Sequence, residues 1–141
     1  MKKTKSRSLE AVFGPLVSSY SRAEAIADGV LIDVTTMARE AGLQWPVALT
    51  HSVWRDCVSW DEQRNRSQVC QDEDGRLWDV LFMAVFVIRR AAVPKDRMTF
   101  TLYRVPSDGS TLEPQEVTLK LIVGPGDDGE PVVTILMPHE D

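Results

Sequence analysis

Val117-Thr118-Leu119-Lys120-Leu121-Ile122-Val123, Gly124-Pro125-Gly126-Asp127-Asp128-Gly129-Glu130-Pro131 and Val132-Val133-Thr134-Ile135-Leu136-Met137 follow one another near the end of the chain. Two β-branched runs flank a connection holding three glycines and two prolines, residues that reverse a chain and cannot continue either strand. The stretch predicts a β-hairpin. Just upstream, Met98 to Val105 is a third strand-like run, and Pro106-Ser107-Asp108-Gly109-Ser110 after it is turn material. Three strands joined by short reversals predict an antiparallel meander.

The residues before the meander change period. Apolar side chains from Leu77 to Ile88 fall on every side of a helix, the pattern of one packed in the middle of a domain, so a central helix is expected from Arg76 to Ala92, with Pro94-Lys95-Asp96 ending it. Ser21-Arg22-Ala23-Glu24 has capping-box spacing and predicts a short helix from Arg22 to Asp28, stopped at Gly29. Val30 to Val34 reads as a buried strand. Thr35 or Thr36 caps a second helix ended by Gly42, and Trp45 to Leu49 is a short strand that Pro46 makes irregular or an edge. Thr50 is a suitable N-cap for a third helix whose inner stripe is Val53, Trp54, Cys57 and Val58, and Asp61 to Gly75 is a polar loop. With helices early and strands late, the class is α+β. The expected architecture is one domain over residues 20–141, short helices and a central buried helix packed on a mainly antiparallel sheet, preceded by a basic, flexible segment over residues 1–19.

A chain of 141 residues with 43% hydrophobic residues suits a single domain with a real core. Cys57 and Cys70 are too few for a disulfide framework and no leader opens the chain, which points to a reducing, cytoplasmic setting. The longest apolar run carries Asp79 and ends in Arg89-Arg90, too short and too charged for a membrane span of about 20 residues. The net charge of −5 is uneven: Lys2, Lys3, Lys5 and Arg7 open the chain, leaving twelve bases against twenty-one acids after them. The tail could touch a phosphate backbone, whereas an acidic body suits a basic partner, including one that normally holds nucleic acid.

His51 and Arg55, one helical turn apart at a helix start, form a candidate anion site, set against the plainer reading of a solvated helix face. Tyr20 and Arg22 before the first helix extend that candidate. Asp79 is unusual inside an apolar run and reads either as a complement to the helix dipole or as a buried catalytic acid. His51 and Cys57 sit about 240° apart on a helix and cannot meet. Single, scattered cysteines and histidines lack zinc-ligand spacing, and neither acidic cluster has calcium-loop spacing, so no metal and no cofactor is expected. Those clusters, Asp72-Glu73-Asp74 and Asp127, Asp128 and Glu130, are the candidate partner surface. Trp45, Trp54, Trp60 and Trp78 are more than a core of this size needs, which puts one or two on an interface.

Two resemblances bear on function. Tyr20-Ser21-Arg22 with Glu113 and Glu116 loosely resembles the cleft of ADP-ribosyltransferases, although Glu113-Pro114-Gln115-Glu116 does not match their acidic motif and no glycine-rich dinucleotide fingerprint is present. More broadly, Tyr20 to Val34, Pro46-Val47-Ala48-Leu49-Thr50 with Val53-Trp54, Gly75-Arg76-Leu77-Trp78-Asp79-Val80-Leu81 and the Gly124 to Pro131 connection resemble a small family of unknown function carried on bacterial plasmids, phages and integrative elements. That resemblance implies an accessory protein of mobile DNA and brings no catalytic residues with it. The expected function is a non-enzymatic interaction protein, an anti-restriction or anti-CRISPR factor that binds a host protein through an acidic surface. The alternatives are a small nucleotide-binding or ADP-ribosyltransferase-like enzyme, and a DNA-associated factor using the Lys2 to Arg7 tail.

Overall fold

Among the described residues one open sheet carries five strands: β1 (Leu31–Asp33), β2 (Val47–Thr50), β3 (Arg97–Arg104), β4 (Gln115–Pro125) and β5 (Pro131–Leu136), in the spatial order β1-β2-β5-β4-β3. The computed structural model describes residues 20–63, 70–93 and 95–140, so the basic segment 1–19, with its Lys2 to Arg7 tail, lies outside the described residues. The meander forms as the sequence predicts. β3 pairs antiparallel with β4, Phe100 opposite Leu119, and β4 with β5, Leu121 opposite Ile135 and Pro125 opposite Pro131. At the tip the Gly126 N–H donates to the Glu130 carbonyl, and Gly129 takes a φ of 82°, which an L side chain rarely adopts.

No local pattern indicates how the first two strands join. β2 runs parallel to β5, Val47 opposite Val133 and Leu49 opposite Ile135, while β1 pairs antiparallel on its outer side. β2 is therefore interior, which excludes the edge, one of the two placements that Pro46 allowed. Pro46 has no N–H to give, but it sits one residue before the strand, and its carbonyl accepts the Val133 N–H.

The α-helices among the described residues are α1 (Arg22–Ala27), α2 (Thr35–Ala41), α3 (His51–Val53) and α4 (Glu73–Arg90). Ser21 closes the predicted capping box, its hydroxyl accepting the Glu24 N–H while its own N–H donates to the Glu24 carboxylate. Neither threonine caps α2. Val34 holds the cap position, and the Thr35 hydroxyl instead contacts Asp33 and accepts the Val47 N–H, joining helix start to strand. Gly42 ends α2 with a φ of 117°, and a Cβ there would stand 2.8 Å from Arg89 Nη2. Thr50 caps α3 as expected, but after Val53 the backbone widens into a π-helical turn over Trp54–Val58. α4 starts three residues earlier than its apolar run suggests, because Asp72 accepts the Gly75 N–H and recruits polar residues into the first turn.

α4 lies across one face of the sheet. Leu77, Val80, Leu81, Ala84 and Val85 pack with Val53, Cys57 and Val58 of the α3 segment and with Phe100, Leu119, Leu121, Val133 and Ile135 of the strands. Its burial is one-sided: Trp78, Phe82 and Phe86 are 39%, 53% and 46% exposed. The all-round apolar character of residues 77–88 thus reflects two apolar faces, one sealed on the sheet and one open. α1 sits on the opposite sheet face, where Arg22 reaches Thr134, the residue between core-facing Val133 and Ile135.

Candidate functional site

The five residues proposed for a ligand site do not converge. Tyr20 and His51 line one groove of about 780 Å³ on the α1 side of the sheet, together with Asp28, Val30, Thr50 and Leu136. The Tyr20 hydroxyl donates to Asp28 at 2.8 Å, and that hydrogen bond heads the causes that raise the phenol's pKa. Arg22 turns inward, donating to Thr134 Oγ1 at 2.8 Å and to the Val133 carbonyl at 2.9 Å. Arg55 lines a separate groove with Asp56, Arg104 and Asp108. Asp79 borders a third, smaller cavity with Cys57, Gln71, Arg76 and Arg104. It is exposed rather than buried, though partial desolvation still raises its pKa against the opposing charge of Arg76. Asp79 is therefore not the buried acid that its place in an apolar run suggested.

The most constrained polar side chain is one the sequence reading passed over. Arg76 is 4% exposed, and its guanidinium donates to the Val58 carbonyl at 3.0 Å, the Val105 carbonyl at 2.9 Å and Gln71 Oε1 at 2.6 Å while lying 4.7 Å from the Trp60 ring centroid. One planar fork thereby ties the end of the π turn to the residue after β3 and to the start of α4. Beside it, Arg104 and Asp56 form an ion pair at 2.9 Å. A basic residue opening an apolar helix was the available signal; its two backbone acceptors, the carbonyls of Val58 and Val105, left no trace in the sequence.

Cys57 lies in the same neighbourhood, and burial, reinforced by Asp56, pushes its thiol up to about 12. Such a thiol is not a nucleophile near neutrality. Thiol titration of the native chain at pH 8 should therefore find fast reaction only at exposed Cys70, with Cys57 reacting after denaturation; rapid native labelling of Cys57 would contradict its enclosure.

Most of the carboxylates proposed for partner contact also hold the fold. Asp127 accepts the N–H groups of Arg22 and Ala23 at 2.8 and 3.0 Å, bonding the hairpin tip to the first turn of α1. Glu130 accepts the Asp128 N–H at 3.0 Å, within the tip. Asp33, Asp127 and Glu130 all act on the Arg22 charge, raising its pKa against the larger, lowering effect of burial. With Glu24 on α1 and Asp128 on the tip, they make this end of the molecule acidic. The other cluster is elsewhere: Asp72 caps α4, Glu73 accepts the Trp60 N–H at 3.2 Å, and Asp74 follows. Arg76 fastens that end to Val105, next to the start of β4, whereas the tip follows the end of β4, ten residues on. At about 3.3 Å per residue the two clusters are roughly 30 Å apart, too far to form one patch.

No helix among the described residues is long and apolar enough to cross a membrane. No group of three or more His, Cys, Asp or Glu among them is placed to hold a metal ion. A family model described as "Family of unknown function (DUF6573)" matches residues 12–141. No curated protein and no solved structure matches the chain.

Proposed function

This chain belongs to the family of unknown function DUF6573, and we propose that it is a non-enzymatic interaction protein that captures a host protein through the acidic end built from α1 and the β4–β5 tip. The observation that carries this reading is the junction at Asp127, whose two oxygens bind the first turn of α1 and bring Asp127 and Glu130 around inward-turned Arg22 beside Asp33. A charged surface held by backbone hydrogen bonds needs little ordering on binding, and charge complementarity then sets partner choice and encounter rate. The partner is a host protein with a basic surface, of the kind that holds nucleic acid in a restriction or CRISPR complex. The chain acts in the cytoplasm as an anti-defence factor of a plasmid, phage or integrative element.

Capture from host lysate tests the reading. The variant Asp127→Asn/Asp128→Asn/Glu130→Gln removes three charges and leaves one acceptor oxygen on each side chain, so that one of the two bonds from Asp127 to α1 is lost. It should still unfold cooperatively, with a melting temperature lowered by several degrees for the lost bond, and lose captured partner several-fold more than Asp72→Asn/Glu73→Gln/Asp74→Asn does. Capture equal to wild type by the tip variant overturns the proposal.

A second reading is favoured by one observation: Tyr20 and His51 share the groove of about 780 Å³, a volume sufficient for a nucleotide. If the chain is a small nucleotide-binding enzyme, nucleotides or dinucleotides should raise its melting temperature by mass action, and His51→Ala should abolish the rise. The interaction reading expects no shift.

A further inference from the structure

Trp78, Phe82 and Phe86 are spaced four residues apart, so each stands about one turn beyond the last in a row roughly 12 Å long on the outer face of α4. Their exposures of 39%, 53% and 46% leave roughly 300 Å² of aromatic surface in water, taking side chains of this kind at about 150–250 Å² each. The charges around the row are polarised. Asp72 caps α4, and Glu73, Asp74 and Asp79 lie in its N-terminal half, where Arg76 is buried, whereas Arg89 and Arg90 close the helix and Lys95 and Arg97 follow on either side of Asp96. Arg90 lies 5.2 Å from the Phe86 ring centroid, so the basic end reaches the aromatic row itself.

We propose that this row is the contact between two copies of the chain, packed α4 against α4 in antiparallel fashion about a two-fold axis at Phe82. A two-fold interface must be complementary to itself, and this face is. Reversing one helix against the other places Phe82 on its twin and Trp78 on the partner's Phe86. Both acidic halves then meet basic ends, and Asp74 comes opposite the partner's Arg90. A parallel arrangement would set acid on acid and base on base, with the helix dipoles also aligned unfavourably. The row gives the apolar centre and the charged residues the rim of an interface that needs about 800 Å² per copy. Since α1 and the hairpin tip take no part, the dimer presents two acidic ends, and the inference stands independently of what those ends bind.

Sedimentation equilibrium on the full chain tests this across micromolar to submillimolar concentrations. Wild type should reach twice the 15.8 kDa chain mass. Phe82→Glu should remain monomeric with its melting curve otherwise cooperative, because Phe82 lies outside the core. Arg90→Glu should weaken the dimer about tenfold or more, and adding Asp74→Arg to the same chain should restore it, because each reversed pair forms between copies. A wild-type monomer throughout the range overturns the inference. So does a dimer indifferent to Phe82→Glu, or a double charge variant no tighter than Arg90→Glu.

Discussion

Arg76→Met should lower the melting temperature by roughly 10–15 °C, corresponding to about 4 kcal/mol in a domain of this size. The guanidinium supplies the donors for the carbonyls of Val58 and Val105 and for Gln71, all at a residue 4% exposed. Methionine fills much of the volume and contacts Trp60, but it donates nothing. Each buried acceptor left without its partner costs about 1–3 kcal/mol. Arg76→Lys should recover little, because an ammonium cannot reproduce a planar fork whose Nε and Nη1 point to acceptors on different segments. A melting curve within about 3 °C of wild type for Arg76→Met would show that water replaces the fork and that the corner between the π turn, α4 and the end of β3 is not held as described.

Leu49→Ala should cost about 2–5 kcal/mol, the range for truncating a leucine at a site that cannot collapse. Leu49 is fully buried in β2, opposite Ile32 on one side and Ile135 on the other. The size of the loss separates two placements of this strand. At a solvated edge the same truncation would cost well under about 1 kcal/mol, and urea denaturation with an unchanged m-value would report the difference directly.

That strand marks the boundary of what the sequence could say. The meander was legible because β-branched alternation and the Gly-Pro connection act locally, and the strands differ from expectation only in their end residues. The caps at Ser21 and Thr50 and the stop at Gly42 were legible for the same reason. The parallel pairing of β2 with β5 joins residues more than eighty positions apart, and no local pattern encodes it. α4 shows a subtler limit. Its apolar residues do occupy every side, but periodicity cannot distinguish a face covered by the same chain from one left open, so Phe82 and Phe86 looked like core, and only the number of tryptophans pointed to an interface role for one such as Trp78. The candidate site divides in the same way. The acidic residues were visible, yet Asp127 gains its place beside Arg22 only through tertiary hydrogen bonds, and Arg76 has carbonyl partners that have no sequence signature.

The most direct test of the acidic-surface account is the salt dependence of host-protein capture by the full chain. Screening shortens from about 10 Å at 0.1 M salt to about 3 Å at 1 M. Capture should fall steeply over that interval for wild type, while the weaker capture by Asp127→Asn/Asp128→Asn/Glu130→Gln should change little. Capture that survives the higher salt undiminished, at the same level in both proteins, would contradict a partner held by the acidic end of the molecule.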